Sequence, residues 1–369
     1  MSEFDAAALL GRAQQMHPDL PDRLVAWQRT QGRHHLPWQQ TRDPYRVWLS
    51  EIMLQQTQVS TVLGYYERFL TRFPTVVDLA SADLDEVLAL WSGLGYYSRA
   101  RNLHRCAQAV RDLHGGRFPG RATELEQLPG IGPSTAAAIA AFCFGERISI
   151  MDGNVRRVLS RVLGWEGDLS VRVHERALTD AAQRLVPERS SDMVSYTQGL
   201  MDLGATLCTP RKPACLTCPW SDICEGRMSG EPERLPVKTK KLKRSQRESW
   251  CLWLQQGEAV WLVQRPHTGI WSGLWTLPMF ASEADLQAAW PHPTELQPPL
   301  THVLTHLDWR LHLARAQTPV GSPSFDALIA VMSKVAEPRQ GEGQWVTLAA
   351  LRRGEWALPK PFQRWLVEG

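Results

Sequence analysis

The stretch LPGIGPSTAAAIAAF, residues 128–142, predicts a tight turn followed by a helix of small residues. The first helical turn, residues 133–136, contains no Asp or Glu, although acidic side chains usually complement the positive end of the helix dipole there. The preceding ATELEQ is also expected to be helical, so the segment forms a helix–hairpin–helix. Its free amides suit an anion such as a DNA phosphate, and a purely structural turn with glycine caps is the alternative.

The composition describes an ordinary globular protein. The chain has 369 residues, a length that suits about two domains. Of these residues, 43% are hydrophobic and 21% are charged, a normal balance for a globular protein. No apolar run approaches the roughly 18 residues of a membrane span, and the acidic, amphipathic N-terminus is unlike a signal peptide. We therefore expect a cytoplasmic protein with no membrane association.

The net charge is only +3, but basic residues are unevenly distributed. Residues 99–117 contain five arginines and one acid, and residues 234–247 contain seven Lys or Arg and no acid. Such stretches suit a phosphate backbone, and a solvated face or a linker is the alternative.

The pattern of apolar residues changes along the chain. Residues 1–228 show helical periodicity, whereas residues 229–248 form a polar, basic, proline-containing linker. In residues 249–369, WCLWLQQGEAVWLVQRP predicts two strands around a glycine turn, and THVLTHLDWRLHLARAQ is a second alternating stretch. The predicted fold class is a mainly α N-terminal part joined to an α+β C-terminal domain.

Four of the seven cysteines lie within one short segment, residues 208–224, with C-x6-C-x2-C-x5-C spacing. Four thiolates on one loop are able to enclose a compact metal centre, and a reducing cytoplasm disfavours disulfides. Zinc and a [4Fe-4S] cluster both use such ligands. The four candidate ligands are Cys208, Cys215, Cys218 and Cys224.

Two carboxylates stand in positions that suit catalysis. Asp152, in ISIMDGNVRRVLSR, is expected to cap the helix that starts near Asn154 and to stay ionised. Glu51, in VWLSEIMLQQTQ, shares a largely apolar helix face, so burial would raise its pKa and keep it protonated as a general acid. Enzymes that break glycosidic bonds use two carboxyl groups whose pKa values differ, so that one is protonated while the other is ionised. The sequence leaves open whether these two meet.

Together these residues resemble the helix–hairpin–helix DNA glycosylase superfamily. The resemblance rests on LPGIGPSTAAAI, the Asp of MDGNVRRVL and the four-cysteine loop. Within the superfamily, LPWQQTRDPYRVWLSEIMLQQTQV, LWSGLGYYSRARNLH and MDLGATLC are similar to adenine DNA glycosylases of the MutY type. The likeness is strong over roughly residues 20–228 and looser over residues 249–369.

The resemblance implies a six-helix barrel module beside a [4Fe-4S] module, together forming a catalytic domain of residues 1–228 with its hairpin at about residues 121–143. It implies removal of adenine mispaired with 8-oxoguanine or guanine in double-stranded DNA, after the base is flipped out. Glu51 would protonate the adenine and later activate water, and Asp152 would stabilise the oxocarbenium-like sugar. The four cysteines would hold the [4Fe-4S] cluster. A nucleoid-associated monomer is expected.

The resemblance also implies DNA contacts. Those around the flipped base would be Leu36, Trp38 and Gln198, with Asn154 beside Asp152. Those to the duplex would be Gln56, Thr57, Tyr96, Gly130, Gly132 and Ser134. At position 134, endonuclease III carries a lysine that forms a Schiff base and allows strand cleavage; Ser134 is unable to form an imine, so a monofunctional enzyme is expected.

The C-terminal domain, residues 249–369, resembles the MutT-like (Nudix-type) domain of MutY-type enzymes through VWLVQRPHTGIWSGLWTLPMF. The Glu-rich metal-binding box of working Nudix hydrolases does not follow, so this domain is expected to bind the 8-oxoguanine side. Where the family usually has Phe-Ser-His, this chain has Leu304, Thr305 and His306. Thr305 keeps a hydroxyl, and His302 and His306 are expected to be structural or lesion contacts.

Two other functions are compatible with parts of the sequence. One is an endonuclease III-like or thymine-mismatch glycosylase, and Ser134 with the additional domain argues against the former. The other is a non-enzymatic DNA-binding scaffold with a structural metal, and the presence of both Glu51 and Asp152 argues against it.

Overall fold

The computed structural model describes Gly11 and residues 17–240, 243–316 and 343–368. The chain divides into two compact units that do not follow chain order. The first unit contains residues 1–56 and 106–241, and the second contains residues 57–105 and 242–369. Each unit therefore combines segments that are distant in sequence.

The first unit is helical. Its core helix, α8, is buried from Thr135 to Phe142, and the small alanine side chains allow neighbouring helices to approach closely. Gly145 ends α8 in the left-handed conformation, with φ of +69°. The helices of this unit are α1 (Leu20–Gln31), α2 (Pro44–Leu54), α7 (Ala122–Leu125), α8 (Pro133–Phe144), α9 (Gly153–Val162), α10 (Arg172–Arg184), α11 (Met193–Thr206) and α12 (Glu225–Met228).

The second unit begins with helices and continues with two sheets. Its helices are α3 (Val59–Arg72), α4 (Val76–Ser81), α5 (Leu84–Trp91), α13 (Glu283–Ala289), α14 (Leu348–Arg352) and α15 (Lys360–Leu366), and the unit boundary falls within α6 (Ser98–His114). Its strands are β1 (Ser245–Trp253), β2 (Gln255–Gln256), β3 (Ala259–Gln264), β4 (Trp275–Thr276), β5 (Met279–Phe280), β6 (Thr294–Leu296), β7 (Leu300–Val303), β8 (Leu307–Ala316) and β9 (Gly343–Thr347).

The two sheets have different strand orders within the described residues. One runs β5-β1-β8-β6 with β7 also paired to β8, and the other runs β2-β3-β4 with β9 paired to β3. The β1 and β8 strands are parallel over their full length, from Ser245 opposite Leu307 to Trp253 opposite Arg315. The start of β1 lies inside the segment predicted as a linker, residues 229–248.

Hydrogen bonds explain why residues 57–105 join the C-terminal unit. Ser92 Oγ and Tyr97 OH both donate to the Leu358 carbonyl, at 2.8 and 3.0 Å. The Arg101 guanidinium donates to the Ser272 carbonyl at 2.6 Å. These polar contacts bind the loop between α5 and α6, and the first turn of α6, to loops of the C-terminal domain.

The predicted fold class, mainly α followed by α+β, is confirmed. The four-residue α7 and the longer α8 form the predicted hairpin, and α14 and α15 lie near the end of the α+β part. Among the described residues, no helix is both long enough and apolar enough to cross a bilayer.

Candidate active site

The hairpin leaves the N-terminus of α8 open. Gly130 has a φ of +78°, a conformation that favours glycine, and the Ile131 N–H closes the turn on the Leu128 carbonyl at 3.2 Å. Gly132 and Pro133 are exposed, and no side chain caps the helix. The start of α8 is therefore exposed at Gly132 and Pro133 and has no side-chain cap, which leaves it open to an anion.

Ser134 connects this helix to the catalytic segment. Its Oγ accepts a hydrogen bond from the Met151 N–H at 3.2 Å, which holds the chain immediately before Asp152 against the start of α8. Asp152 is the N-cap of α9, and its Oδ1 accepts from the Val155 N–H at 2.7 Å. The predicted capping role of Asp152 is thus present in the structure.

Glu51 lies in α2 on the same unit. Burial of its carboxyl and, to a smaller extent, the negative charge of Asp152 together raise the pKa of Glu51 from the usual 4.5 to about 8. Val47 and Trp48, one turn earlier on α2, are 3% and 0% exposed, so the helix face around Glu51 is apolar. The residue as a whole keeps some solvent-accessible surface, but its carboxyl is surrounded by protein. Glu51 and Asp152 are close enough to interact electrostatically.

Asn154 is fixed by two neighbouring elements. Arg157 donates from Nη2 to Asn154 Oδ1 and to the Gly204 carbonyl, both at 2.8 Å, and from Nε to the Cys208 carbonyl at 2.8 Å. A Cβ at Gly204 would lie 2.7 Å from Asn154 Cβ, so only glycine permits α9 and α11 to approach this closely. One arginine therefore links the helix that carries Asp152 to the beginning of the cysteine loop.

The residues expected around a flipped base lie in the first unit. Leu36 and Trp38, at a short 3-10 turn, are 3% and 8% exposed. On α11, the Gln198 Nε2 donates to Asp202 Oδ1 at 2.8 Å. The buried Asp202 carboxylate also accepts from Arg33 Nε and from the Arg33 N–H, at 2.7 and 2.9 Å. Asp202, which the sequence analysis did not select, thus anchors both Gln198 and the chain preceding Leu36.

Gln56 and Tyr96, the two residues expected to wedge into the duplex, both have strained backbone conformations. Gln56 and Tyr96 have φ values of +59° and +48°, which are uncommon for residues other than glycine and concentrate at functional sites. Tyr96 is 44% exposed.

Arg99, one of the five arginines of the basic stretch 99–117 that suited a phosphate backbone, is instead buried and supports the loop of Tyr96. Its Nη2 donates to Thr57 Oγ1 at 3.1 Å and to the Leu94 and Gly95 carbonyls at 3.4 and 3.3 Å. Its guanidinium carbon lies 5.3 Å from the centroid of the Tyr96 ring. Burial lowers the pKa of Arg99 to about 10, a value at which the side chain is still charged at neutral pH.

Residues Leu304, Thr305 and His306 form a turn between β7 and β8, which we call the recognition turn. Thr305 and His306 are exposed, and Leu304 is half-buried. The Tyr96 and Thr305 hydroxyls are hydrogen-bonded at 2.8 Å, although the two residues are 209 positions apart. The other predicted histidine, His302, contacts the Trp271 ring, and burial lowers its pKa. The structure therefore brings one predicted wedge and the predicted hydroxyl together.

The four cysteines line one cavity in the first unit, together with Arg161 and Arg227. Arg161 is 2% exposed; it donates to the Thr209, Pro210 and Leu235 carbonyls at 2.7, 3.0 and 3.0 Å. Its Nη1 also lies 3.4 Å from Cys208 Sγ. Among the described residues, no group of three or more Cys, His, Asp or Glu is arranged around a single point as ligands of one metal ion. Four sulfurs around a cavity with adjacent cations fit an anionic iron–sulfur cluster.

Comparisons with known proteins agree with these features. Residues 49–184 match the HhH-GPD superfamily of base excision DNA repair proteins, residues 208–224 match the iron–sulfur binding domain of endonuclease III, and residues 249–368 match the NUDIX domain. The [4Fe-4S] cluster is therefore the cofactor of the cysteine loop.

Curated relatives match most of the chain. The chain is 37% identical over 262 residues to an adenine DNA glycosylase of Buchnera aphidicola subsp. Acyrthosiphon pisum, covering 71% of this chain and 74% of the relative. It is 37% identical over 319 residues to an adenine DNA glycosylase of Homo sapiens, covering 72% of this chain and 58% of the relative. A solved structure of a thermostable thymine-DNA glycosylase is 30% identical with a TM-score of 0.51, covering 57% of this chain and 95% of that chain. By its identity to the Buchnera relative over most of both proteins, the chain belongs to the adenine DNA glycosylase family.

Proposed function

We propose that this protein hydrolyses the N-glycosidic bond of adenine mispaired with 8-oxoguanine or guanine in double-stranded DNA and leaves an abasic site. The observation that carries the proposal is the carboxyl pair: Glu51, with its pKa raised to about 8, lies within electrostatic range of Asp152 at the start of α9. Such a pair supplies an acid and an anion in one site at neutral pH.

The first chemical step uses the proton of Glu51. Neutral adenine is a poor leaving group, because the electron pair of the breaking C1′–N9 bond must be accommodated on the base. Protonation of the adenine ring by Glu51 allows the base to take that pair as C1′–N9 breaks. The sugar then carries positive charge, which the Asp152 carboxylate stabilises.

The second step consumes water. Glu51, now ionised, accepts a proton from the water whose oxygen bonds to C1′. This returns Glu51 to its acid form and leaves a hydroxyl on the sugar. Asn154 and Arg157 hold the helix that carries Asp152 during both steps.

Ser134 supports a monofunctional reaction. A hydroxyl is unable to form the imine through which a lysine nucleophile leads to strand cleavage. The Ser134 Oγ accepts a hydrogen bond from the residue before Asp152, which supports a position for this side chain beside a sugar bound at Asp152.

DNA is held by the hairpin and by those cations of the basic stretches that are not bound within the protein. Gly130 and Gly132 let a phosphate reach the open amides of α8, while Leu36, Trp38 and Gln198 surround the flipped adenine. The Cys208–Cys224 loop, fixed by the [4Fe-4S] cluster, carries Arg211 and Lys212 toward phosphate. A structural role of this kind needs no redox change at the cluster.

The opposite base is recognised by residues of the second unit and by Gln56, which belongs to the first. Tyr96 and Gln56 enter the duplex, Thr57 supports the wedge, and the Thr305 hydroxyl and His306 contact 8-oxoguanine. The bond between the Tyr96 and Thr305 hydroxyls supports this assignment, because it places the two groups on one surface. The Nudix-type domain acts as a binder without hydrolase activity, and the protein works as a monomer on the nucleoid, in the cytoplasm.

The test compares three duplexes that carry A opposite 8-oxoguanine, A opposite guanine, and T opposite guanine. After incubation with the protein, alkali cleaves the DNA wherever a base has been lost. Breaks at adenine in the first two duplexes, formed only after alkali, are expected. Breaks at thymine alone would support a thymine-mismatch glycosylase, and no breaks would support a binding scaffold.

A further inference from the structure

The recognition turn is fixed by residues from the junction between the basic stretch and β1. Leu304 N–H closes the turn on the Leu307 carbonyl at 2.8 Å. Ser245, the first residue of β1, donates its N–H and its Oγ to the His306 carbonyl at 3.0 and 3.2 Å. The backbone of the turn is therefore oriented by β1, the strand that begins within the last residues of the basic stretch.

Arg244 completes this support. Its Nη1 donates to the Thr305 carbonyl at 3.2 Å, and its Nη2 forms an ion pair with the Asp308 carboxylate. The Arg244 and Asp308 side chains are 40% and 35% exposed. One guanidinium thus joins the carbonyl of the exposed threonine to the second residue of β8.

The positive charge of Arg244 is therefore already paired within the protein, with the carboxylate of Asp308. Sequence alone groups Arg244 with the other cations of residues 234–247 as a candidate phosphate contact. An arginine whose two terminal nitrogens already bind a carbonyl and a carboxylate releases few counterions when DNA binds. Adjacent Lys243, by contrast, has no ion pair among the described residues.

We propose that Arg244 and Asp308 form a clamp that positions the recognition turn, and that Arg244 is a positioning residue and not a phosphate contact. The proposal rests on the proposed function in that the turn reads the base opposite adenine. With the carbonyl of Thr305 held, its hydroxyl keeps the direction that bonds Tyr96 and is presented to the opposite base. Without the clamp, the turn samples other orientations and recognition loses selectivity.

The test uses Arg244→Gln and Asp308→Asn, each of which removes one side of the clamp, with Lys243→Gln as the matched control. Hydrogen–deuterium exchange is measured on peptides covering residues 303–307, and duplex affinity is measured against salt concentration. We expect faster exchange in both clamp variants and an unchanged salt slope for Arg244→Gln. Lys243→Gln should leave exchange unchanged and reduce the salt slope by about 0.9, as the loss of one phosphate contact does.

Selectivity supplies the functional measurement. The ratio of excision rates for adenine opposite 8-oxoguanine and opposite guanine should fall about fivefold in each clamp variant, which is the upper range for a half-exposed ion pair. The double variant should lose no more than either single variant. Unchanged exchange together with a reduced salt slope for Arg244→Gln would overturn the clamp. If the wild-type protein excised adenine equally well opposite 8-oxoguanine and opposite guanine, the proposed recognition of the opposite base would be refuted. The hydrogen–deuterium exchange and the salt dependence of duplex affinity would still decide the role of Arg244.

Discussion

The pKa of Glu51 sets how much of the enzyme is able to protonate adenine at neutral pH. Burial, with the added repulsion of Asp152, raises that pKa from 4.5 to about 8. At pH 7, an ordinary glutamate would be protonated in about 0.3% of molecules, whereas a pKa of about 8 gives about 90%. The environment of Glu51 therefore increases the population of competent enzyme about 300-fold.

The perturbation that tests this value is a change of pH. A raised pKa keeps the carboxyl protonated up to about pH 8, and the proton is lost as the pH rises through that value. We expect the excision rate to be nearly constant from pH 6 to about pH 7.5 and to fall about tenfold for each pH unit well above 8.

The assay is single-turnover excision of adenine opposite 8-oxoguanine with excess enzyme, so that slow product release does not hide the chemical step. Circular dichroism and duplex affinity, measured over the same pH range, exclude unfolding or weaker binding as the cause. A rate that declines tenfold per pH unit from about pH 4.5 upward would refute the argument, because it would show an ordinary glutamate.

Three substitutions test neighbouring parts of the site. Asp152→Asn should keep the cap of α9, changing the free energy of unfolding by less than about 0.5 kcal/mol, but reduce excision at least about 100-fold; normal turnover would contradict its role. Ser134→Lys should form an enzyme–DNA adduct that borohydride traps, and the absence of any adduct would count against the placement of this side chain beside the sugar. Gly204→Ala, whose Cβ would lie 2.7 Å from Asn154 Cβ, should cost about 1–3 kcal/mol of stability and slow excision; a variant as stable and active as wild type would disprove the need for close packing.

Local features of the site were predictable from sequence because they depend on short-range rules. The absence of acids after Gly132 identified the open helix start, and the position of Asp152 before a helical pattern identified its cap. The apolar face around Glu51 indicated a raised pKa, and the structure gives that direction. Asp152 was also recognisable in the sequence as a candidate carboxylate. Its proximity to Glu51, however, is set by tertiary structure and has no signal in the sequence.

Long-range contacts were not predictable. The Tyr96–Thr305 hydrogen bond joins residues 209 positions apart, and the parallel pairing of β1 with β8 crosses more than 50 residues. Neither contact has a local signal, because parallel register is set by tertiary packing. The clustering of residues 57–105 with the C-terminal segment likewise depends on hydrogen bonds such as Tyr97 to Leu358.

Buried charged residues that orient other groups were missed for a related reason. Arg161 and Asp202 look like ordinary surface charges in sequence, yet they are 2% and 0% exposed. Each is retained in the interior because several backbone or side-chain partners satisfy it, and those partners become visible only in three dimensions.

The most direct measurement of the central claim is the single-turnover excision rate of the Glu51→Gln variant on a duplex with adenine opposite 8-oxoguanine. Glutamine keeps the size and hydrogen-bonding capacity of the side chain but has no acidic proton to transfer. The account predicts a loss of at least about 100-fold with duplex affinity retained. Excision at the wild-type rate would contradict it.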